Sequence, residues 1–316
     1  SFQSAAAAAA ATPASAAPAA EASAFAERLS LDNGRDRLVR RLQQVHESLK
    51  ELSQDDRPAG LGAMARDLAS PAVTQHRDKE VRLLAACCLV DVLRVYAPDA
   101  PYTPAELRAA FALLLAQLRG LGTAVDPAEP RSRRVHYVLS SLATVKSCVI
   151  VVELAQQNAV GSEDLLVELF EALLGGVRPE HPQEVGDAVL EALSACVDEM
   201  DVVYQPVLDA VLMCLLPVAR AENPRSNQLA QLLLRRCFNR FYQPISQFVN
   251  AILTGDGGGG SGGGSGSGGS GAVESDLADH VFPLVYELHK VNPQMLLYVL
   301  PNIALQLQAE DVEVSS

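Results

Sequence analysis

The chain of 316 residues is 49% hydrophobic, too apolar to be disordered throughout and long enough to bury a sizeable core. Its net charge of −13 is wrong for direct nucleic-acid binding, which needs lysine and arginine for phosphate contacts. Aromatics are 5%, tryptophan is absent, and leucine and alanine outnumber valine, isoleucine and threonine, a balance that favours helix over sheet.

Residues 1–34 begin with an Ala/Pro/Ser-rich stretch and read as a largely flexible tail. The stretch has no basic n-region and no leucine-rich core, so it does not read as a signal peptide. From Arg35, "RDRLVRRLQQVHESLKEL" sets Leu38, Leu42, Val45, Leu49 and Leu52 on one helical stripe. Arg35, Arg37, Arg40 and Arg41 crowd the start of this helix and read as a solvated basic face. "DKEVRLLAACCLVDVLRVY" is apolar around most of its circumference, interrupted only by Glu80, Arg82, Asp91 and Arg94. Such a helix is buried between neighbours.

Between this helix and the next lies "APDAPYT". The residue before Pro98 is biased away from helix, so the first helix ends near Tyr96. Thr103-Pro104-Ala105-Glu106 reads as a capping box, so the next helix starts at Pro104. The loop between them has φ fixed at two prolines and loses little entropy when a partner docks on it. Two readings follow from its residues. In one, Asp99 is a carboxylate presented to a partner's arginine, and Tyr102 is a contact residue of the hot-spot kind. In the other, Asp99 helps to cap the next helix and Tyr102 packs locally.

The later patterns are also helical. "RRVHYVLSSLATVKSCVIVVEL" is long and is expected to bend or split near Lys146. "SEDLLVELFEALLGGV" is expected to have Ser162 as its N-cap and to end at Gly175-Gly176, and Gly120 and Gly122 read as C-cap residues of the earlier helix "PAELRAAFALLLAQLRGLG". Pro206, Pro224 and Pro293 sit where first helical turns are expected. "NPRSNQLAQLLLRRCFNRF" and "YQPISQFVNAIL" read as two helices. Residues 255–271 are almost entirely glycine and serine and read as an engineered linker. Residues 272–316 then continue the array that occupies 35–254.

Helix starts recur about every 20 to 30 residues, so a pair makes a unit near the 40–47 residues of HEAT or armadillo repeats. The expected fold is all-α, a HEAT-repeat-like α-solenoid of stacked antiparallel helix pairs. No run of about 18 uncharged apolar residues is present to form a membrane span.

Nothing in the sequence points to catalysis. It has no HExxH, no nucleophile motif and no phosphate loop. The six cysteines, Cys87, Cys88, Cys148, Cys196, Cys214 and Cys237, lie in apolar helical stretches without metal-ligand spacing and read as core residues of a reducing compartment. The expectation is a protein without catalytic residues, cofactor or metal.

Residues Asp78–Thr103, "DKEVRLLAACCLVDVLRVYAPDAPYT", resemble the most characteristic stretch of the family of cohesin regulators named for precocious dissociation of sisters (Pds, member five). "AERLSLDNGRDRLVRRLQQVHESLKELSQD" is similar to the family's N-terminal segment, and "SDLADHVFPLVYELHKVNPQMLLYVLPNI" to its continuation after the linker. The resemblance is collinear from about Phe25 to about Leu307. It implies a fragment of a longer, non-enzymatic HEAT scaffold in the nucleus, associated with chromosomes. It further implies that Ala97, Pro98, Asp99, Ala100, Pro101 and Tyr102 dock short Tyr-Ser-Arg-like motifs. The partners implied are a Wapl-type release factor, a cohesin acetyltransferase or Sororin-like antagonist, a Haspin-type kinase and the cohesin complex, with the kleisin contact incomplete in a fragment. No direct nucleic-acid or membrane contact is expected. The competing reading is another HEAT scaffold, a transport or assembly adaptor, in which the proline loop is purely structural.

Overall fold

The computed structural model describes residues 24–29, 34–54, 56–157, 161–254, 277, 279–297, 299 and 301. Most of the expected tail over 1–34, the expected linker over 255–271 and about half of 272–316 lie outside the described residues. Among the described residues, every regular element is helical: α1 (Arg35–Glu51), α2 (Leu61–Ala69), α3 (Pro71–Thr74), α4 (Lys79–Tyr96), α5 (Pro104–Leu118), α6 (Pro130–Val145), α7 (Val149–Gln156), α8 (Ser162–Gly176), α9 (Gln183–Glu199), α10 (Gln205–Met213), α11 (Pro217–Glu222), α12 (Pro224–Arg236), α13 (Phe238–Thr254) and α14 (Val281–Val291), with short 3₁₀ turns at Leu121–Thr123 and Pro293–Leu296.

Helices α1, α4, α6, α9 and α12 stack in one layer, and α2, α5, α8, α10 and α13 in a second. The steps between equivalent helices are legible in the hydrogen bonds. Cys88 Sγ bonds the Leu42 carbonyl across 46 positions, and His46 meets Asp91 across 45. Tyr137 meets Asp91 across 46, and Arg236 meets Glu191 across 45. A constant offset means that equivalent helices run parallel and that the structural repeat is about 45 residues, the HEAT period. The fold is therefore an all-α, HEAT-repeat-like solenoid.

Helix α4 shows why the sequence requires this packing. Every residue from Leu83 to Leu93 is buried. The helix has α1 on one side, α6 on the other and α2 and α5 beneath. Its N-cap is Asp78, whose carboxylate accepts from the Glu80 and Val81 amides. Arg35 at the start of α1 also bonds Asp78, at 2.7 Å, so the N-termini of two parallel helices are pinned together.

The expected split near Lys146 is present. Lys146 adopts a left-handed conformation (φ 58°), and α6 and α7 meet at 67°. No single helix among the described residues is long and apolar enough to cross a membrane. Three local expectations differ from the structure. Ser162 is the first residue of α8 rather than its cap, because Gly161 takes the left-handed position ahead of it. Helix α5 ends at Leu118 and runs on through a tight 3₁₀ turn, so Gly120 keeps a negative φ. The break expected between Phe241 and Tyr242 falls at Cys237 instead, and Pro244 lies inside α13. Pro244 removes one ladder bond, which α13 tolerates because Phe241, Ile245 and Val249 on one face are fully buried.

The core also reaches ahead of Arg35. Phe25 is 2% exposed, and Gly60 (φ 89°) lets the chain pass directly beneath its carbonyl, where a Cβ would collide.

Candidate functional site

The candidate site is the connection from α4 to α5. Helix α4 ends at Tyr96 with Ala97 as its C-cap, and α5 begins at Pro104 with Thr103 as its N-cap. The capping box is complete. Thr103 Oγ1 accepts from the Glu106 amide, and the Glu106 carboxylate accepts from the Thr103 amide at 2.8 Å. These bonds hold the Glu106 carboxyl below the usual carboxylate range.

The entry to the loop is fastened to the end of α1. The Gln54 amide donates to the Ala97 carbonyl at 2.8 Å. Arg57 Nη1 donates to the Val95 carbonyl at 2.8 Å, and its guanidinium lies 4.2 Å from the centre of the Tyr96 ring. Arg94 reaches the other way, donating to the Leu52 carbonyl at 2.8 Å and the Leu49 carbonyl at 2.7 Å. Terminal carbonyls of one helix are thus satisfied by side chains of its parallel neighbour.

Within the loop, Pro98 and Asp99 are exposed, and Ala97, Ala100, Pro101 and Tyr102 are half-buried. The Ala97–Pro98 bond is cis. Asp99 is not the cap of α5, since Thr103 and Glu106 perform that role. It forms no hydrogen bond or ion pair with the described residues and points its charge at solvent. Tyr102 faces inward. Its hydroxyl is buried without a hydrogen-bond partner, and burial pushes its pKa well above the ordinary tyrosine value. The structure brings all six expected residues onto one short, clamped segment, with one carboxylate exposed at its tip.

Sequence reasoning missed the buried polar cluster behind the loop. Asp91 is 0% exposed. It accepts from the Tyr137 hydroxyl at 2.7 Å, pairs with His46 Nδ1 at 2.9 Å and lies 3.5 Å from Arg94 Nε. Burial and this bond to Asp91 raise the Tyr137 pKa, so the phenol stays protonated and donates. The available signal was an aspartate in the middle of an otherwise apolar helix, which must find partners on adjoining helices.

The thiols are not poised for chemistry. Cys214 is half-buried and the other five cysteines are buried. Burial pushes Cys87 up to about 12 and Cys88 well above its ordinary value, far from the thiolate form. His136 Nε2 donates to the Ala124 carbonyl and His181 Nε2 to the Leu121 carbonyl, while His181 Nδ1 accepts from the Arg178 amide, which makes both rings structural. Among the described residues, no group of His, Cys, Asp and Glu is arranged to hold a metal ion.

Residues 36–314 match the family described as sister chromatid cohesion protein PDS5. The chain belongs to the PDS5 family. It is 34% identical over 281 residues to PDS5 homolog A of Mus musculus, covering 88% of this chain and 19% of that protein. It is also 34% identical over 283 residues to PDS5 homolog B-A of Xenopus laevis, covering 88% of this chain and 18% of the relative. The chain thus spans less than a fifth of the length of these PDS5 relatives. A chain in the solved structure of the Pds5-Scc1 complex superposes with a TM-score of 0.68 at 24% identity, over 88% of this chain and 40% of that one. That likeness establishes the shared helical-repeat fold.

Proposed function

We propose that this chain is a non-enzymatic scaffold of sister chromatid cohesion, acting in the nucleus on chromosomes. In this reading the loop Ala97–Tyr102 docks short Tyr-Ser-Arg-like motifs. The observation that carries it is the state of Asp99, an exposed carboxylate without a partner among the described residues, on a loop clamped at both ends. A guanidinium approaching Asp99 has a bidentate acceptor ready, and the loop need not be ordered first. Ala97 and Ala100 leave room for the ligand backbone. Motifs of this kind belong to a Wapl-type release factor, a cohesin acetyltransferase or Sororin-like antagonist, and a Haspin-type kinase. The similarity to the Pds5 chain solved with Scc1 supports a further contact with the kleisin of cohesin, only part of which falls in a chain of this length.

The second reading is a scaffold whose proline loop is purely structural, and the inward-facing Tyr102 hydroxyl favours it. Fluorescence anisotropy of a labelled Tyr-Ser-Arg peptide separates the two. The chain is expected to bind the peptide, and Asp99→Lys to weaken binding by well over tenfold, with circular dichroism confirming an intact fold. Equal binding by both proteins would move the peptide site away from the loop.

A further inference from the structure

The arginines at the start of α1 do not form a plain solvated face. Arg37, Arg40 and Arg41 line a cleft of about 320 Å³ together with Glu27 and Arg28 from the segment ahead of α1. Arg28 is already spent, because it binds Asp67 on α2. Arg35 is engaged as well, by Asp36 and Asp78. The other three guanidiniums meet no carboxylate among the described residues.

What holds them is neutral. Arg41 Nη2 donates to the Ala24 and Glu27 carbonyls, each at 2.7 Å, and Arg40 Nε donates to the Asp36 carbonyl at 3.2 Å. Carbonyls fix the direction of a guanidinium without cancelling its charge. Arg41 also keeps its Nε buried with no acceptor. Arg37 is exposed and has no side-chain partner among the described residues. The cleft therefore holds two oriented guanidiniums and the exposed one of Arg37, opposed among the described lining residues by Glu27 alone, on a chain whose net charge is −13.

We propose that this cleft receives the phosphate of a phosphorylated serine or threonine in a partner peptide. Among the described lining residues, three guanidiniums that meet no carboxylate less the Glu27 carboxylate leave a charge of +2, which matches the phosphomonoester charge of about −1.5 to −2 at neutral pH. Arginine supplies the forked donors that phosphate oxygens take best. Glu27 argues for a single phosphate on a peptide. A carboxylate at the rim repels a ligand with phosphates on every side, yet accepts from a backbone amide or a lysine flanking one phosphate. The acidic remainder of the chain likewise opposes a long polyanion such as a nucleic acid.

The test is anisotropy with a labelled degenerate peptide pool carrying one fixed phosphoserine, against the same pool unphosphorylated. The phosphorylated pool is expected to bind at least tenfold more tightly. Arg37→Glu with Arg40→Glu should abolish that difference, and Arg37→Lys with Arg40→Lys should keep part of it. Both arginines are exposed, so a circular dichroism melt should be unchanged. Equal binding of the two pools, or a preference that survives the glutamate pair, overturns the proposal. So does inorganic tripolyphosphate binding where the phosphorylated pool shows no preference, which would reassign the cleft to a free polyphosphate.

Discussion

The side-chain amide of Gln54 donates to the Ala97 carbonyl at 2.8 Å, so the segment after α1 grips the first residue of the loop that carries Asp99. Arg57 adds a second grip at Val95 and over the Tyr96 ring. Neither residue belongs to the loop itself. Gln54→Ala with Arg57→Ala is expected to weaken Tyr-Ser-Arg peptide binding several-fold, because the loop must then be ordered on binding. Hydrogen exchange should speed up across 95–102 and stay slow in α6.

Tyr102 offers a test of its inward orientation. Its hydroxyl is buried and unpartnered, so Tyr102→Phe removes a desolvated polar group and leaves the ring in place. Stability should be unchanged or higher by about 1 kcal/mol, read from urea midpoints. Peptide binding should be retained. A large loss of binding in Tyr102→Phe would show that the hydroxyl faces the ligand.

Asp91→Ala should be among the most damaging single changes in the chain. It removes a fully buried carboxylate and leaves the Tyr137 hydroxyl, His46 and Arg94 without their shared partner. Breaking a buried, hydrogen-bonded ion pair by truncation costs about 3–5 kcal/mol. Chemical denaturation of the two proteins measures it. A loss below about 1 kcal/mol would mean that water or Arg94 rearrangement replaces the carboxylate.

His136 should make stability fall on mild acidification. Burial lowers its pKa, the bond to the Ala124 carbonyl opposes this, and the nearby His181 ring adds to the lowering. In the unfolded chain a histidine titrates near its ordinary value of about 6.5. As pH drops below that value the unfolded state takes up the proton first, so stability declines until the folded value is passed. Urea midpoints at pH 7.5 and 5.5 should differ by less in His136→Gln than in the parent.

Much of the fold can be read directly from residue spacing. The stripe Leu38–Leu42–Val45–Leu49, the capping box at Thr103 and the break at Lys146 are local signals, and local signals survive in a single sequence. The clamp on the loop does not have that character. Gln54 and Ala97 are 43 positions apart, and Arg94 and Leu49 are 45 apart. No periodicity announces such a pair until the stacking offset of α1 and α4 is known. The same holds for the cleft before α1, where Arg37 and Arg40 are visible in the sequence but the carbonyls and Glu27 that shape it belong to a segment the helical pattern does not reach. The inward turn of Tyr102 was equally hidden, since a tyrosine after a proline reads the same whether its hydroxyl meets solvent or core.

The 45-residue offset between parallel helices has a mechanical consequence. Each helix pair exchanges its main contacts with the pair before and the pair after, so stability is shared only between adjoining units. Such an array frays from its termini like a zipper. The loop at Ala97–Tyr102 follows α4, one step along the stack from α1, and Phe25, buried with its carbonyl against Gly60, packs on that step. Removing the segment that carries Phe25 should therefore loosen the Ala97–Tyr102 loop before it disturbs any helix beyond α6.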